Sequence, residues 1–514
     1  MNAVAEQTDI PVVFPEDDTD ETAVVARAMA AARGAQSRWS RTPLTRRLEL
    51  VRELRRLIAE NASALAESSA FARQRPALES LTAEVFPLAE ACRFLERQAG
   101  KVLAPRRLGR LGQPLWLTGV RSEIHREPVG VVLIIGPGNY PLLLPGVQLI
   151  QALTAGNAVL LKPGVGGAPA ARLLSGLIVR AGFDPQLVTR LPEGAEYARL
   201  AIMARPDKIL FTGSAGTGEK ILAQLAPHLI PATMELSGCD AVVVRADADL
   251  DLAVRALRFG LTLNGGATCM SPKRVFVHHS LAAELESRLT RHFRFRQDEK
   301  KPVSSGEDQS VLPAAVTMNL RLLIEDAVAG GACFIAGDPS ASGPVILGNV
   351  APSSRLLHED VFAPVLALVS VTDDREAIFR VNDCPFALTV GVFSRDESAA
   401  RSLAARFNAG VVTINDLIVP TADARVPFGG RGRSGFGVTR GAEGLLELTT
   451  PKVVTVSRGR FRPAFDPPQP GDETLFNAYL KLIHGRGLKS RTAALVALIR
   501  GVSRRPRSKP SIIP

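Results

Sequence analysis

Cysteine is scarce. The 514 residues hold five, Cys92, Cys239, Cys269, Cys333 and Cys384, scattered and with no CxxC spacing. This excludes a disulfide framework and a cysteine-built zinc site as organising devices, and it points to a reducing compartment. Long apolar runs are also missing. A membrane-spanning helix needs ~18–20 consecutive apolar residues. The nearest stretch, Val129 to Val147, is broken by Gly136, Pro137, Gly138, Asn139, Pro141 and Pro145. The N-terminus has no basic segment and turns acidic at "EDDTDET", where a secretory signal would be apolar. A cytoplasmic protein is expected. The seven histidines show neither HExxH nor HxxxH spacing, and no Ser/His/Asp signature appears. Metal-dependent and serine-hydrolase chemistry fall away, and no metal site is expected.

What is present suits a large globular protein. Length alone suggests about three domains. Hydrophobic residues make up 46% and charged residues 22%, enough to build sizeable cores. The net charge of +11 is concentrated in one place. From Arg458 onward there are twelve Lys/Arg and three acids, so +9 lies in the tail and the body is close to neutral. The basicity therefore does not make the body a nucleic-acid binder.

The acidic "EDDTDET" suits a helix N-terminus. A second helix is expected after Thr42-Pro43, where Leu48, Leu50, Val51, Leu54, Leu57 and Ile58 recur at helical spacing, and a third over roughly Ala77 to Gln98. "LWLTGVRSEIHREPVG", Leu115 to Gly130, alternates as a hairpin or exposed strand would. Then come "GVVLIIGPGN", "NAVLLKPG", "QLVTRLPEG", "KILFTGSAGTG" and "ATMELSG", continuous Val/Ile/Leu runs closed by glycine. Such runs read as parallel strands covered on both faces, in a doubly wound α/β unit that takes a nucleotide at its strand C-termini. A second α/β run follows from "DAVVVRADADLDLAV" to about Thr450. "PKVVTVSRGRF" is another β-like piece, and "RPAFDPPQPGDE" reads as a linker.

Two glycine motifs invite over-reading. "FTGSAGTGEKI" has the glycine spacing of a phosphate loop, but Glu219 precedes Lys220 and no Ser/Thr follows. It reads as a pyrophosphate-holding strand-to-helix turn or as a plain tight turn. "GGRGRSG" contains a GxGxxG at Gly430, Gly432 and Gly435, far from the first βαβ unit and with no helix pattern after it. It reads as a structural loop. Cys269 in "NGGATCMSP" is open to four readings on its own residues: nucleophile, metal ligand, disulfide half or accident.

"GPGNYPLLLPGVQLIQALTAGNAVLLKPG", "MELSGCDAVVV", "NGGATCMSPKRVFV", "EDVFAPVLAL" and "PFGGRGRSGFG" follow one another in register. In this order and spacing, over about residues 25–460, the chain resembles the aldehyde dehydrogenase superfamily. The resemblance implies two doubly wound α/β domains with a small β bridging and oligomerisation element. Residues 1–114 and 129–236 would form the NAD(P)-binding domain and 237–450 the catalytic domain. Residues 115–128 and 451–463 would form the β element, and 464–514 a basic extension. It implies NAD(P)-dependent oxidation of a small-molecule aldehyde to a carboxylic acid, by a homodimer or homotetramer. Cys269 matches the nucleophile, Glu235 the general base and Asn139 the oxyanion-stabilising amide. Lys162, Gly213, Ser214, Gly218, Leu236 and Phe362 match cofactor positions. Of Glu359 and Asp360, one matches the nicotinamide-ribose contact. Taken singly, the bland readings are a structural thiol, a surface acid and a turn residue.

Two departures stand out. NAD-preferring relatives commonly carry an acid three positions after the lysine; here Val165 stands there. That leaves NAD or NADP open as cofactor. The family often has tryptophan before the asparagine; here it is Gly138, so the entrance is wider or filled from elsewhere. In the tail, Leu475, Phe476, Tyr479, Leu480 and Ile483 form one helical stripe. Leu495, Val496, Leu498, Ile499 and Val502 form another, with Gly485 and Gly487 between. A basic amphipathic tail suits a membrane surface, or packing on the enzyme's own body or on a neighbouring subunit. Two other functions stay in view: a CoA-acylating enzyme, against which Glu235 argues, and a non-catalytic scaffold, against which the intact Cys/Glu/Asn set argues.

Overall fold

The computed structural model describes residues 20–70, 74–298, 312–337, 343–458, 465 and 467–504. The chain divides into two compact units, Met1–Arg106 with Ile124–Val453, and Arg107–Glu123 with Val454–Pro514.

The first unit is organised by two sheets. The six-stranded sheet runs, in spatial order, Gly435–Phe436, Ala232–Leu236, Lys208–Gly213, Val131–Ile135, Ala158–Lys162, Val188–Arg190. All neighbours are parallel except Gly435–Phe436, which is antiparallel to Ala232–Leu236. The five expected strands are all here. Every residue of Val131–Ile135 and Ala158–Lys162 is buried, because helices cover both faces and the β-branched runs have no solvent side. From Val131–Ile135 the chain adds strands first on one side, then on the other. The switch point therefore lies between Ile135 and Gly213, where a crevice opens outside the strand C-termini.

Helix Glu21–Trp39 lies on this sheet, and Leu44–Glu60 packs on helices Phe86–Val102 and Leu143–Ala155. Asp20 caps the first by accepting from Thr22 and Ala23 N–H, and the Trp39 indole donates to Leu153 O at 2.8 Å. The third expected helix is not uniform. It runs Ala77–Ser80, widens into a π-helical turn at Leu81–Val85, then continues as Phe86–Val102. That bulge turns Glu84 into the interior, where it is fully buried.

The seven-stranded sheet runs Cys333–Ala336, Val345–Gly348, Val365–Val371, Pro272–His278, Asp240–Val244, Thr389–Phe393, Val411–Ile414. Only its first pair is antiparallel. A three-stranded sheet joins Arg106–Arg107, Val120–Pro128 and Thr449–Ser457. Leu115–Leu117 is a short 3₁₀ turn and not part of a hairpin. Its neighbours Gly119 and Gly112 carry positive φ, which breaks the alternating pattern before Val120.

The second unit carries helices Asp472–His484 and Leu488–Arg504, packed on each other. Arg491 Nε donates to Leu482 O at 2.8 Å. Small residues, Ala478 and Ala494, are buried, while Phe476, Leu480, Ile483, Leu488, Leu495, Val496 and Ile499 are exposed. Among the described residues no helix is long and apolar enough to cross a membrane. Residues 459–464 of the expected strand end and linker lie outside the described residues.

Candidate active site

The three residues expected to do chemistry arrive from three different elements. Asn139 ends the turn after Val131–Ile135, Glu235 lies in Ala232–Leu236, and Cys269 sits in the loop before Pro272–His278. The structure brings them to one cleft of about 230 Å³, lined also by Pro137, Gly138, Leu144, Thr212, Gly213, Ser214, Leu236, Ser237 and Phe362.

The thiol loop is backbone-driven. Asn264, Gly265 and Gly266 take φ of 53°, 59° and 75°, left-handed values that glycine and asparagine reach at least cost. At Gly266 a Cβ would lie 2.4 Å from Pro364 N, so the loop's approach to the segment after Phe362 requires glycine. Lys273, fully buried, ties the same two segments by donating to Gly266 O at 3.3 Å and Ala363 O at 2.6 Å. Burial lowers the Lys273 ammonium to about 8, against the opposing pull of Asp360.

Cys269 is half-buried. Burial, with the Glu235 and Asp240 carboxylates behind it, pushes its thiol well above the ordinary range. It rests as the neutral thiol and needs a base. Among the described residues no hydrogen bond takes its backbone N–H, which leaves that donor for an incoming oxygen. Glu235 is 4% exposed. Burial raises its carboxyl, while Arg440, Thr439 and Gln148 pull it back. Thr439 Oγ1 donates to its Oε2 at 3.1 Å. The Asn139 amide donates one N–H to Ala267 O at 3.0 Å. An amide nitrogen carries two, so one remains.

Of the positions expected to hold the cofactor, Gly213, Ser214, Leu236 and Phe362 line the cleft, and Lys162, Gly218, Glu359 and Asp360 do not. Lys162 ends its strand, 8% exposed, lowered by burial and partly restored by Glu193 and Glu196. Gly213 closes strand Lys208–Gly213 and Ser214 caps helix Ala215–Leu225, its Oγ accepting from Thr217 N–H. Gly218 does not line the cleft. Its missing Cβ would meet Leu236 Cδ2 at 2.9 Å, so it lets the helix lie against Leu236. Of the two acids, Glu359 is bonded to Arg355 on the surface. Asp360 is hydrogen-bonded to Ser237, which lines the cleft, and burial raises it to about 6. A Cβ at Gly138 would lie 2.7 Å from Val165 O. A side chain at position 138 would therefore press on that carbonyl. Val165 itself is 80% exposed, and the carboxylate nearby is that of Glu193, which accepts from Gly166 N–H at 2.9 Å and Ala168 N–H at 2.6 Å.

"GGRGRSG" does more than turn. Its Gly435 pairs with Glu235, Leu236 N–H donates to Ser434 O at 3.1 Å and Ser434 Oγ donates to Ser237 O at 2.9 Å. The sequence reading also passed over Arg75, Glu79, Glu84, Lys273 and Thr439. Only Lys273 sat in a quoted motif.

A crevice at a switch point, closed by a glycine turn and a helix N-terminus, fits a dinucleotide. With a thiol beside it, the class is an NAD(P)-dependent oxidoreductase acting on a carbonyl carbon. Comparison with known proteins narrows this: residues 14–454 match the family model described as "Aldehyde dehydrogenase family", and the chain belongs to that family. It is 30% identical over 469 residues to a 4,4'-diapolycopene aldehyde oxidase of Methylomonas sp., covering 90% of this chain and 88% of that one. It is also 30% identical to a protein of Mycolicibacterium smegmatis named putative succinate-semialdehyde dehydrogenase [NADP(+)], covering 88% and 87%. The fold is similar to the NAD-dependent aldehyde dehydrogenase of Sinorhizobium meliloti, with TM-score 0.78, 26% identity and coverage of 87% and 89%. It is similar too to the NADP-dependent glyceraldehyde-3-phosphate dehydrogenase of Bacillus halodurans complexed with NADP, with TM-score 0.77, 28% identity and coverage of 85% and 91%. The protein is an NAD(P)-dependent aldehyde dehydrogenase.

Proposed function

We propose that Cys269 is the nucleophile, Asn139 the oxyanion donor and Glu235 the base, and that the acyl group leaves to water. The observation that carries this is the convergence of thiol, amide and buried carboxylate on one cleft. Glu235 takes the thiol proton. The sulfur adds to the aldehyde carbon, and the carbonyl electron pair moves onto oxygen, facing the free Asn139 N–H and the Cys269 N–H. A bound nicotinamide supplies the hydride acceptor. Lys162, Gly213, Ser214 and Asp360 would hold it, with Phe362 at the ring and Leu236 against the helix it docks on. With hydride gone from the former aldehyde carbon, a thioester remains on Cys269; Glu235, having passed the thiol proton to solvent, takes a proton from water as it attacks, and the carbon–sulfur bond breaks with Cys269 leaving as the thiolate. Glu235 favours water over CoA as the acyl acceptor.

The cleft walls Pro137, Gly138, Leu144, Leu236 and Phe362 carry no cation. This supports an uncharged, apolar aldehyde over one bearing a carboxylate. The homo-oligomer would form through the exposed strand Thr449–Ser457, eight of whose nine residues face solvent. The outward apolar residues of the basic helical pair support contact with an anionic membrane surface by a protein that otherwise works in the cytoplasm. The experiment is turnover of linear aldehydes of increasing length and of succinate semialdehyde, each with NAD and with NADP, for the wild type and Cys269→Ala. The wild type should prefer the longer apolar aldehydes and Cys269→Ala should be inactive. Retained turnover in the variant removes Cys269 from the mechanism, and preference for succinate semialdehyde overturns the substrate reading.

A further inference from the structure

Behind Asn139 lies a charged pair that the reaction itself does not use. Arg75 and Glu84 are both buried, with side chains 3% and 0% exposed, and form an ion pair. The guanidinium donates to Ser80 Oγ at 2.6 Å and to Asn139 O at 3.1 Å, and lies 5.3 Å from the centre of the Tyr140 ring. The other Glu84 oxygen accepts from Leu142 N–H at 2.7 Å and Leu143 N–H at 2.9 Å. Those donors open helix Leu143–Ala155, which has no side-chain cap of its own. The turn that carries Asn139 is thus gripped on both sides.

The same short segment reaches the thiol loop. Glu79 Oε1 accepts from Asn264 N–H at 2.9 Å. Asn264 Nδ2 donates to Asn139 O at 3.0 Å, and Tyr140 OH shares a 2.6 Å hydrogen bond with Thr268 Oγ1, one residue before Cys269. The π-helical turn is what makes this geometry. It puts Glu84 inward while Glu79, five positions earlier, faces the other loop.

We propose that the Arg75–Glu84 pair is a positioning device for the Asn139 amide, setting it relative to Cys269 for carbon–sulfur bond formation. Burying an arginine and a carboxylate is costly, and apolar residues of like volume fill such space as well. What apolar residues cannot do is bond the main-chain groups of Asn139, Leu142 and Leu143. A displacement of ~1 Å at a reacting group is enough to lower a rate about 10²-fold. The proposal rests on the reading of Asn139 as oxyanion donor.

Its test separates addition to a carbonyl from bare thiol reactivity. Alkylation of Cys269 by iodoacetamide has no oxyanion; the first turnover of hexanal with NAD does. In full-length Arg75→Met/Glu84→Met, the burst of NADH should slow about 10²-fold. NAD affinity and the alkylation rate should stay near wild type. Arg75→Lys, which keeps the charge but not the fork, should slow the burst about tenfold with the same split. Parallel loss of burst and alkylation would mean a structural role only and overturn the proposal; so would an unchanged burst. If the double variant does not fold, the Arg75→Lys split decides by the same criteria. Asn139→Ala serves as the reference: a normal burst there sinks the oxyanion reading itself. A slowed burst in Asn139→Ala but not in the Arg75 variants sinks only the brace.

Discussion

The two walls of the cleft are built differently. The nucleotide wall is made at a strand end: Gly213 and Ser214 fall where a buried strand stops and a helix begins. The thiol wall is a loop held by side chains from afar. Glu79 is 185 positions from the Asn264 N–H it binds, and Lys273 crosses 90 positions to Ala363 O. A wall made of regular structure inherits its geometry from the sheet. A wall made of a glycine loop must be tied, and each tie is a place where function can be lost without the fold being lost.

The sharpest way to break this contrast is at Gly266. An alanine there meets Pro364 N and keeps an unfavourable φ, so hexanal turnover by Gly266→Ala should fall to background while the six-stranded sheet survives, as read by NAD binding. Next in size is Glu235→Gln, which should slow thioester hydrolysis by about 10²–10⁴-fold while leaving an acyl-enzyme visible by mass spectrometry. Because burial raises the Glu235 carboxyl, wild-type turnover should drop, as pH falls, at a higher pH than an exposed glutamate would give. That limb should vanish in the glutamine variant. The smallest effect belongs to the nucleotide wall. Glu193 places a negative charge near Lys162, so Glu193→Gln should raise kcat/KM for NADP relative to NAD a few-fold, about what one exposed charge contributes. An unchanged ratio would mean that carboxylate is only a helix cap.

The same contrast explains what could be read in advance. The parallel strands announced themselves as apolar runs closed by glycine, and the tail as two stripes parted by Gly485 and Gly487. Asn139, Glu235 and Cys269 were legible because the resemblance fixed them in order. The ties were not. Glu79 and Glu84 look like the polar face of an ordinary helix, Arg75 stands before Pro76 outside it, and nothing local says that a π-helical turn rolls Glu84 inward. Gly138 read as a missing ring; what the structure adds is a Val165 carbonyl too close to admit a Cβ there. Such facts depend on which backbone lies opposite, and one chain's pattern does not say.

The pairing of Gly435 with Glu235 has a consequence for synthesis. The strand bearing the base lies inside the first sheet, but its outer neighbour is encoded two hundred residues later. Until that stretch leaves the ribosome, Ala232–Leu236 is an open edge, and the base stands in a half-finished wall. Early strands can pair as they emerge, whereas this closure waits for nearly the whole chain. A nascent chain halted before residue 430 would hold the nucleotide crevice but not a closed seat for the base, so binding would mature before catalysis.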